Sequence, residues 1–103
     1  MIITNLRIRS YGFSMLLSTL NHNVPDLTDN LIDQLRRDSI TNDMEIMVVD
    51  NGSSEPLAKY TTHTLEHNVF FGGGFNVILD YFLSTDHDYL AICLLYTSDA
   101  ADE

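Results

Sequence analysis

Apolar residues along this chain fall into short blocks whose spacing switches between that of buried strands and that of one-sided helices. Residues 13–19 are apolar through Met15, Leu16 and Leu17, and residues 45–49 are aliphatic after Glu45. Short aliphatic runs bounded by turn residues predict parallel strands covered on both faces. Between them, Leu27, Leu31 and Leu35 recur every fourth residue with Ile32 beside them. That spacing predicts a helix, opened by Pro25 and Asp26, with one apolar stripe. Asp26 and Asp29 stand near its positive end and Arg36 and Arg37 near its negative end, so the arginine pair reads as a solvated cap rather than a phosphate site.

Further along, residues 55–60 predict a short helix or an irregular crossover, and the alternating β-branched residues of 62–66 predict a third strand. Gly72, Gly73 and Gly74 lead into a second helix from about 75 to 83, with Phe75, Ile78, Leu79 and Phe82 as its buried stripe. Tyr89, Leu90, Ala91 and Ile92 begin a fourth strand, while the weak alternation of residues 1–12 suggests a short edge strand or an ordered lead-in. The sum is β-α-β-(α)-β-α-β. Such units join by right-handed crossovers into an α/β fold with a mostly parallel sheet.

Composition narrows the function classes. A chain of 103 residues is one domain at most, and its 45% hydrophobic and 19% charged content fits a globular protein. No apolar run approaches the roughly 20 residues of a membrane span, and no apolar core of a signal peptide follows Met1. The expected location is cytoplasmic, at most peripheral to the inner face of the membrane. Five Lys and Arg against fifteen Asp and Glu give a net charge of −10. That balance disfavours nucleic acid, which needs clustered cations along a phosphate track.

The candidate chemistry lies where the second strand stops. Asp50, Asn51, Gly52 and Ser53 offer carboxylate, amide and hydroxyl at a strand's carboxyl end, where open α/β sheets bind ligands. The plainer reading of Asp50 is a turn aspartate bonded to its own loop. Gly72, Gly73 and Gly74 admit close backbone approach and precede a helix N-terminus, which favours anionic groups. They form neither a P-loop nor a dinucleotide fingerprint, since no Gly-Lys-Ser/Thr follows and the spacing differs. His22, His63, His67 and His87 show no ligand spacing and read as surface or loop histidines.

Two segments carry a resemblance: Val48, Val49, Asp50, Asn51, Gly52, Ser53, and then Asn68, Val69, Phe70, Phe71, Gly72, Gly73, Gly74, Phe75, Asn76. In this order and separation they resemble the two motifs of glycosyltransferase family 2, in its rhamnosyltransferase-like branch, over residues 14–92. Phe70 departs from the pattern, standing where the family usually has glycine. If that position takes positive φ, Phe70 must strain or the turn must differ. The resemblance implies a Rossmann-like GT-A fold, strand order 3-2-1-4, with a UDP- or dTDP-sugar lying across the strand ends. It implies that Asp50 accepts the base N3–H, that Thr19 and Asn21 line the base or ribose, and that Asn51 and Ser53 belong to the same site. Asn68 would brace the Gly-rich loop, Gly73 and Gly74 would hold the base and ribose edge or sit beneath the diphosphate, and Asn76 would orient the loop or reach the ribose. For Asn21, with Asn23, a turn role is the other reading.

The resemblance also implies Mg²⁺ or Mn²⁺ in the full-length enzyme, held by a D-x-D pair just past the fourth strand, and a glycan acceptor bound further on. Neither a metal ligand nor a catalytic base is assigned in this chain. Residues 93–103 resemble a translated sequencing adapter, so the expectation is an N-terminal enzyme part over residues 1–92, inactive alone, with a non-native tail. Without Asp99, Asp102 and Glu103 the net charge would be −7. The alternatives are a small nucleotide-binding α/β module and a nucleotidyltransferase-like fragment. Residues 20–26 lack the glycine and lysine that the latter needs, and the former needs a closed core, against which an unpaired fourth-strand edge counts. A flavodoxin-like signalling domain would need acidic residues where Asn21, His22 and Asn23 stand.

Overall fold

A computed structural model describes residues 2–5, 14–37, 44–54 and 56–95. The elements run β1 (Ile2–Asn5), β2 (Met15–Asn21), α1 (Pro25–Arg37), β3 (Met44–Asn51), β4 (His63–Leu65), α2 (Phe70–Leu83) and β5 (Tyr89–Cys93). They build one sheet in the order β1-β5-β2-β3-β4. β2 is parallel to β3 and to β5, and β3 is parallel to β4. The four parallel strands therefore stand in the expected 3-2-1-4 order, with β2 at the point where the chain reverses its direction of travel across the sheet.

The outer edge of β5 is not bare. β1 pairs antiparallel along it, from Ile2 opposite Ile92 to Asn5 opposite Tyr89. The objection that the fourth parallel strand leaves its edge open therefore fails: β1 satisfies the backbone groups that a free edge would present. Cys93, expected to begin the adapter-like tail, closes β5, and Leu94 packs against the core. An apolar run finds a parallel neighbour whatever its origin. The remaining tail residues, 96–103, lie outside the described residues.

Alternation along the strands divides the core between two faces. Leu16, Leu20, Met47, Val49, Leu90 and Ile92 pack with Ile78 and Phe82 of α2. Leu17, Val48 and Ala91 face the other way, the side on which Asn21 meets Thr28 of α1. Burying Ile78 and Phe82 completely contributes roughly 1.5–3 kcal/mol each.

Two expectations about the buried faces of the helices change. The buried positions of α1 are Thr28 and Ile32, whereas Leu27 is exposed and Leu31 and Leu35 are half-buried. The Thr28 hydroxyl reaches Asn21, and that bond sets the rotation of the helix. In α2, Gly74, Ile78 and Phe82 form the buried line, four residues apart, and Leu79 turns outward. Residues 56–62 are an irregular crossover with a turn at 59–60, held by Asp29, whose carboxylate accepts the Lys59 and Tyr60 backbone N–H groups.

Candidate functional site

The parallel register of β2 and β3 sets Asn21 directly opposite Asp50 at their carboxyl ends. Asn21 Nδ2 donates to Asp50 Oδ1 at 3.0 Å. Asn21 Oδ1 accepts from Val24 N and Thr28 Oγ1, so the same side chain caps the start of α1. Asp50 Oδ1 also accepts the Ser53 hydroxyl at 2.6 Å, and Oδ2 accepts Ser53 N at 3.0 Å. Both residues are buried, Asn21 at 0% and Asp50 at 1% exposure. The turn-aspartate geometry is thus realised. Of about four acceptor positions on a carboxylate, one on Oδ2 is left over from these bonds.

A second layer joins the loops that follow β2 and β3. Asn23 adopts φ of 59°, a conformation its short amide side chain tolerates. Its N–H donates to Ser53 Oγ and its Oδ1 accepts Ser54 N, each at 2.9 Å. His22 Nδ1 lies 2.8 Å from the Asn51 carbonyl, which can only accept, so Nδ1 carries the proton. In the sequence, the Asn-rich turn is the only signal that marks Asn23 and His22.

Asn51 faces away from Asp50 and ties the two motif segments together. Its Oδ1 accepts Val69 N at 2.9 Å and its Nδ2 donates to the Phe70 carbonyl at 3.3 Å. Asn68 joins the same turn, with Oδ1 accepting Phe70 N at 2.8 Å. Gly52, with φ of 65°, lets the segments touch: a Cβ there would lie 2.3 Å from Asn68 N and from the His67 carbonyl carbon. The Asn51, Gly52, Ser53 sequence carried a turn signal, but the contact partner lies too far along the chain to be read from it.

Phe70 takes φ of 60°. The glycine-to-phenylalanine departure therefore falls on a left-handed position, which costs an L side chain roughly 1–2 kcal/mol. Helix α2 starts at Phe70 and not near residue 75, because Gly73 N already bonds the Val69 carbonyl. The glycines consequently sit inside the first turns of the helix and not in a loop before it. Cβ atoms on Gly73 and Gly74 would lie 2.7 Å from Val69 Cβ and 2.5 Å from Leu20 Cδ2, so both positions are occupied by close packing.

Of the sequence-predicted residues, Asn21, Asp50, Asn51, Ser53 and Asn68 form one linked rim. Thr19 lies deeper, fully buried, donating to the Cys93 carbonyl at 2.8 Å across the reversal point between β2 and β5. Asn76 is exposed on α2, beyond the rim.

At the opposite end of the sheet stands a cluster that the sequence did not suggest. Glu45 accepts the Tyr81 hydroxyl on Oε2, while its Oε1 lies 2.7 Å from His87 Nε2. His87 Nδ1 is 3.2 Å from the Ser14 hydroxyl, and the His63 ring meets Tyr81 edge-on. The bond from Tyr81, with His87 adding to it, holds the Glu45 carboxyl below its ordinary 4.5 despite some burial. The same bond pushes the Tyr81 phenol above its ordinary 10.0. His87 is thus a half-buried connector and not a plain surface histidine.

Among the described residues no group of three His, Cys, Asp or Glu side chains could hold a metal ion, and no helix is long and apolar enough to cross a membrane. Comparison of the chain with models of protein families, with curated proteins and with solved structures finds no match.

Proposed function

We propose that this chain is the nucleotide-sugar-binding portion of a glycosyltransferase, of the kind its two motifs resemble, with a UDP- or dTDP-sugar as donor. One observation carries the reading. The Asp50 turn and the segment of residues 68–70 are distant in sequence, yet Asn51 stitches them together at the carboxyl rim of a parallel sheet. That rim lies beside the reversal point, where such sheets bind ligands. Asp50 is 1% exposed, so a uracil or thymine N3–H would reach it by taking the place of the Ser53 hydroxyl, which keeps its second bond to Asn23 N. The residues described here do not fit a divalent cation, so no step of sugar transfer is assigned to one within them. The glycan acceptor and the chemistry of transfer belong, on this reading, to the complete enzyme.

A smaller reading is favoured by one different observation. β1 covers the outer edge of β5, as a self-contained nucleotide-binding module would require. The two readings separate by ligand preference. A glycosyltransferase portion binds UDP-glucose or dTDP-rhamnose at least as well as the free nucleotide, and a module binds mononucleotides without regard to the sugar.

Both are tested by titrating the ¹⁵N-labelled chain with UDP, dTDP and GDP. The expected outcome is saturable shifts of residues 21–23, 50–53 and 68–70 with the pyrimidine nucleotides and weaker ones with GDP. Amide spectra that do not change at millimolar nucleotide would sink the proposal.

A further inference from the structure

The polar groups of the rim are largely committed to one another, which leaves open what surface would hold the flat part of a nucleotide. Phe70 offers one. The residue is 75% exposed, the most exposed of the large apolar residues described. Its neighbour Phe71 instead turns onto Phe75, ring centroids 5.9 Å apart. The Phe70 backbone is held at both ends, N–H by Asn68 Oδ1 and carbonyl by Asn51 Nδ2. The ring therefore leaves the rim from a fixed point. An aromatic kept at a left-handed position, where glycine would be free of strain, and kept in water, is an outlier of the sort that clusters at ligand sites.

The chemistry of an occupant is bounded by charge. Stacking platforms also serve single-stranded nucleic acid, but those pair the ring with a basic groove. Here Lys and Arg number 5 against 15 Asp and Glu, and two of the described cations, Arg36 and Lys59, lie over Tyr60 on the other side of the fold. The same acidity disfavours an anionic lipid surface. A single planar heterocycle, with an amide- and hydroxyl-lined rim beside it, fits these limits.

We propose that the Phe70 ring is the stacking platform for the pyrimidine base of a nucleoside diphosphate bound at this rim; the inference rests on the nucleotide-binding reading above. The ring supplies the face of the base, and the Asp50 and Asn51 loop supplies its polar edge. Phe70 is then a positioning residue for the ligand, with the strained backbone retained because glycine has no face to offer.

The chain contains no tryptophan, so Phe70→Trp introduces a sole indole at the platform. UDP and dTDP should quench its fluorescence saturably, whereas pyrophosphate and ribose 5-phosphate should not. Phe70→Gly removes the ring and frees the backbone. It should melt at the same temperature or higher and bind UDP about fivefold to a hundredfold more weakly, the range expected for one lost stacking contact. If Phe70→Gly binds UDP as tightly as the parent chain, the stacking role is overturned and nucleotide binding at the rim stands. Quenching by pyrophosphate alone would also overturn it. If the parent chain binds no nucleoside diphosphate, the underlying reading falls and the platform with it.

Discussion

The two ends of the sheet solve the problem of buried polar groups differently. At the carboxyl rim, one carboxylate, amides and hydroxyls are sealed together, with Asn21 and Asp50 almost wholly removed from water. At the amino end, Glu45, Tyr81 and His87 form an ionisable chain, and the Glu45 side chain is 40% exposed. A sealed network depends on geometry, since each lost partner strands another group where water cannot replace it. A half-solvated chain depends on pH, since water repairs a lost hydrogen bond but not a lost charge balance. The first end is built to hold a shape and the second to hold a helix end against the sheet.

The largest expected effect breaks the rim at its tightest approach. Gly52→Ala combines a left-handed backbone with a Cβ driven into the His67 and Asn68 backbone, neither of which can yield as a side chain would. Destabilisation of about 3 kcal/mol is expected, measured by urea unfolding. A change within about 0.5 kcal/mol would mean that the two loops are not in contact.

Next comes the network itself. Asp50→Ala leaves Asn21 Nδ2 and Ser53 N without their acceptor and should cost about 2 kcal/mol. In a double-mutant cycle with Asn21→Ala, the coupling should exceed about 0.5 kcal/mol. Strictly additive losses would show that the Asn21 and Asp50 side chains act separately, and the contrast between the two ends would lose its basis.

The smallest effect belongs to the amino end. Glu45→Gln should cost under about 1 kcal/mol at neutral pH, as exposed pairs do. Its signature is in the pH dependence. Because the Glu45 carboxyl titrates lower in the folded chain than its ordinary 4.5, its contribution is complete above 4.5 and is lost as the pH falls through that value and below. The stability gap between parent and variant should therefore close on acidification from pH 7 to 3. A gap that stays constant would place the charge of Glu45 outside the balance.

The parallel strands and the two flanking helices were legible in the sequence because each rests on local signals, whereas the 3-2-1-4 order came from the resemblance. Aliphatic runs such as Met47, Val48 and Val49 define strands, and a crossover has one favoured hand. What was illegible depends on pairs distant along the chain. The rotation of α1 follows from Thr28 reaching back to Asn21, which an apolar stripe cannot reveal. The early start of α2 follows from Gly73 bonding Val69, where a run of glycines reads as loop. The cluster of Ser14, Glu45 and His87 joins residues from three stretches distant along the chain, and no spacing announces it. Phe70 was half legible: its departure from pattern pointed to strain, but only the backbone angle places the strain there.

The position of β5 carries a consequence for how the chain is made. It inserts between β1 and β2, so Met15–Asn21 and Ile2–Asn5 both await a strand that leaves the ribosome after every other strand of the sheet. Until then β2 can pair only with β3, and its other side is an open template of aliphatic backbone. Contacts between residues as distant as Ile2 and Ile92 form slowly, and intermediates with open edges are prone to join one another. During synthesis this chain should therefore depend on being shielded until Tyr89–Cys93 arrives, and the yield of folded protein should fall as more chains wait at that stage together.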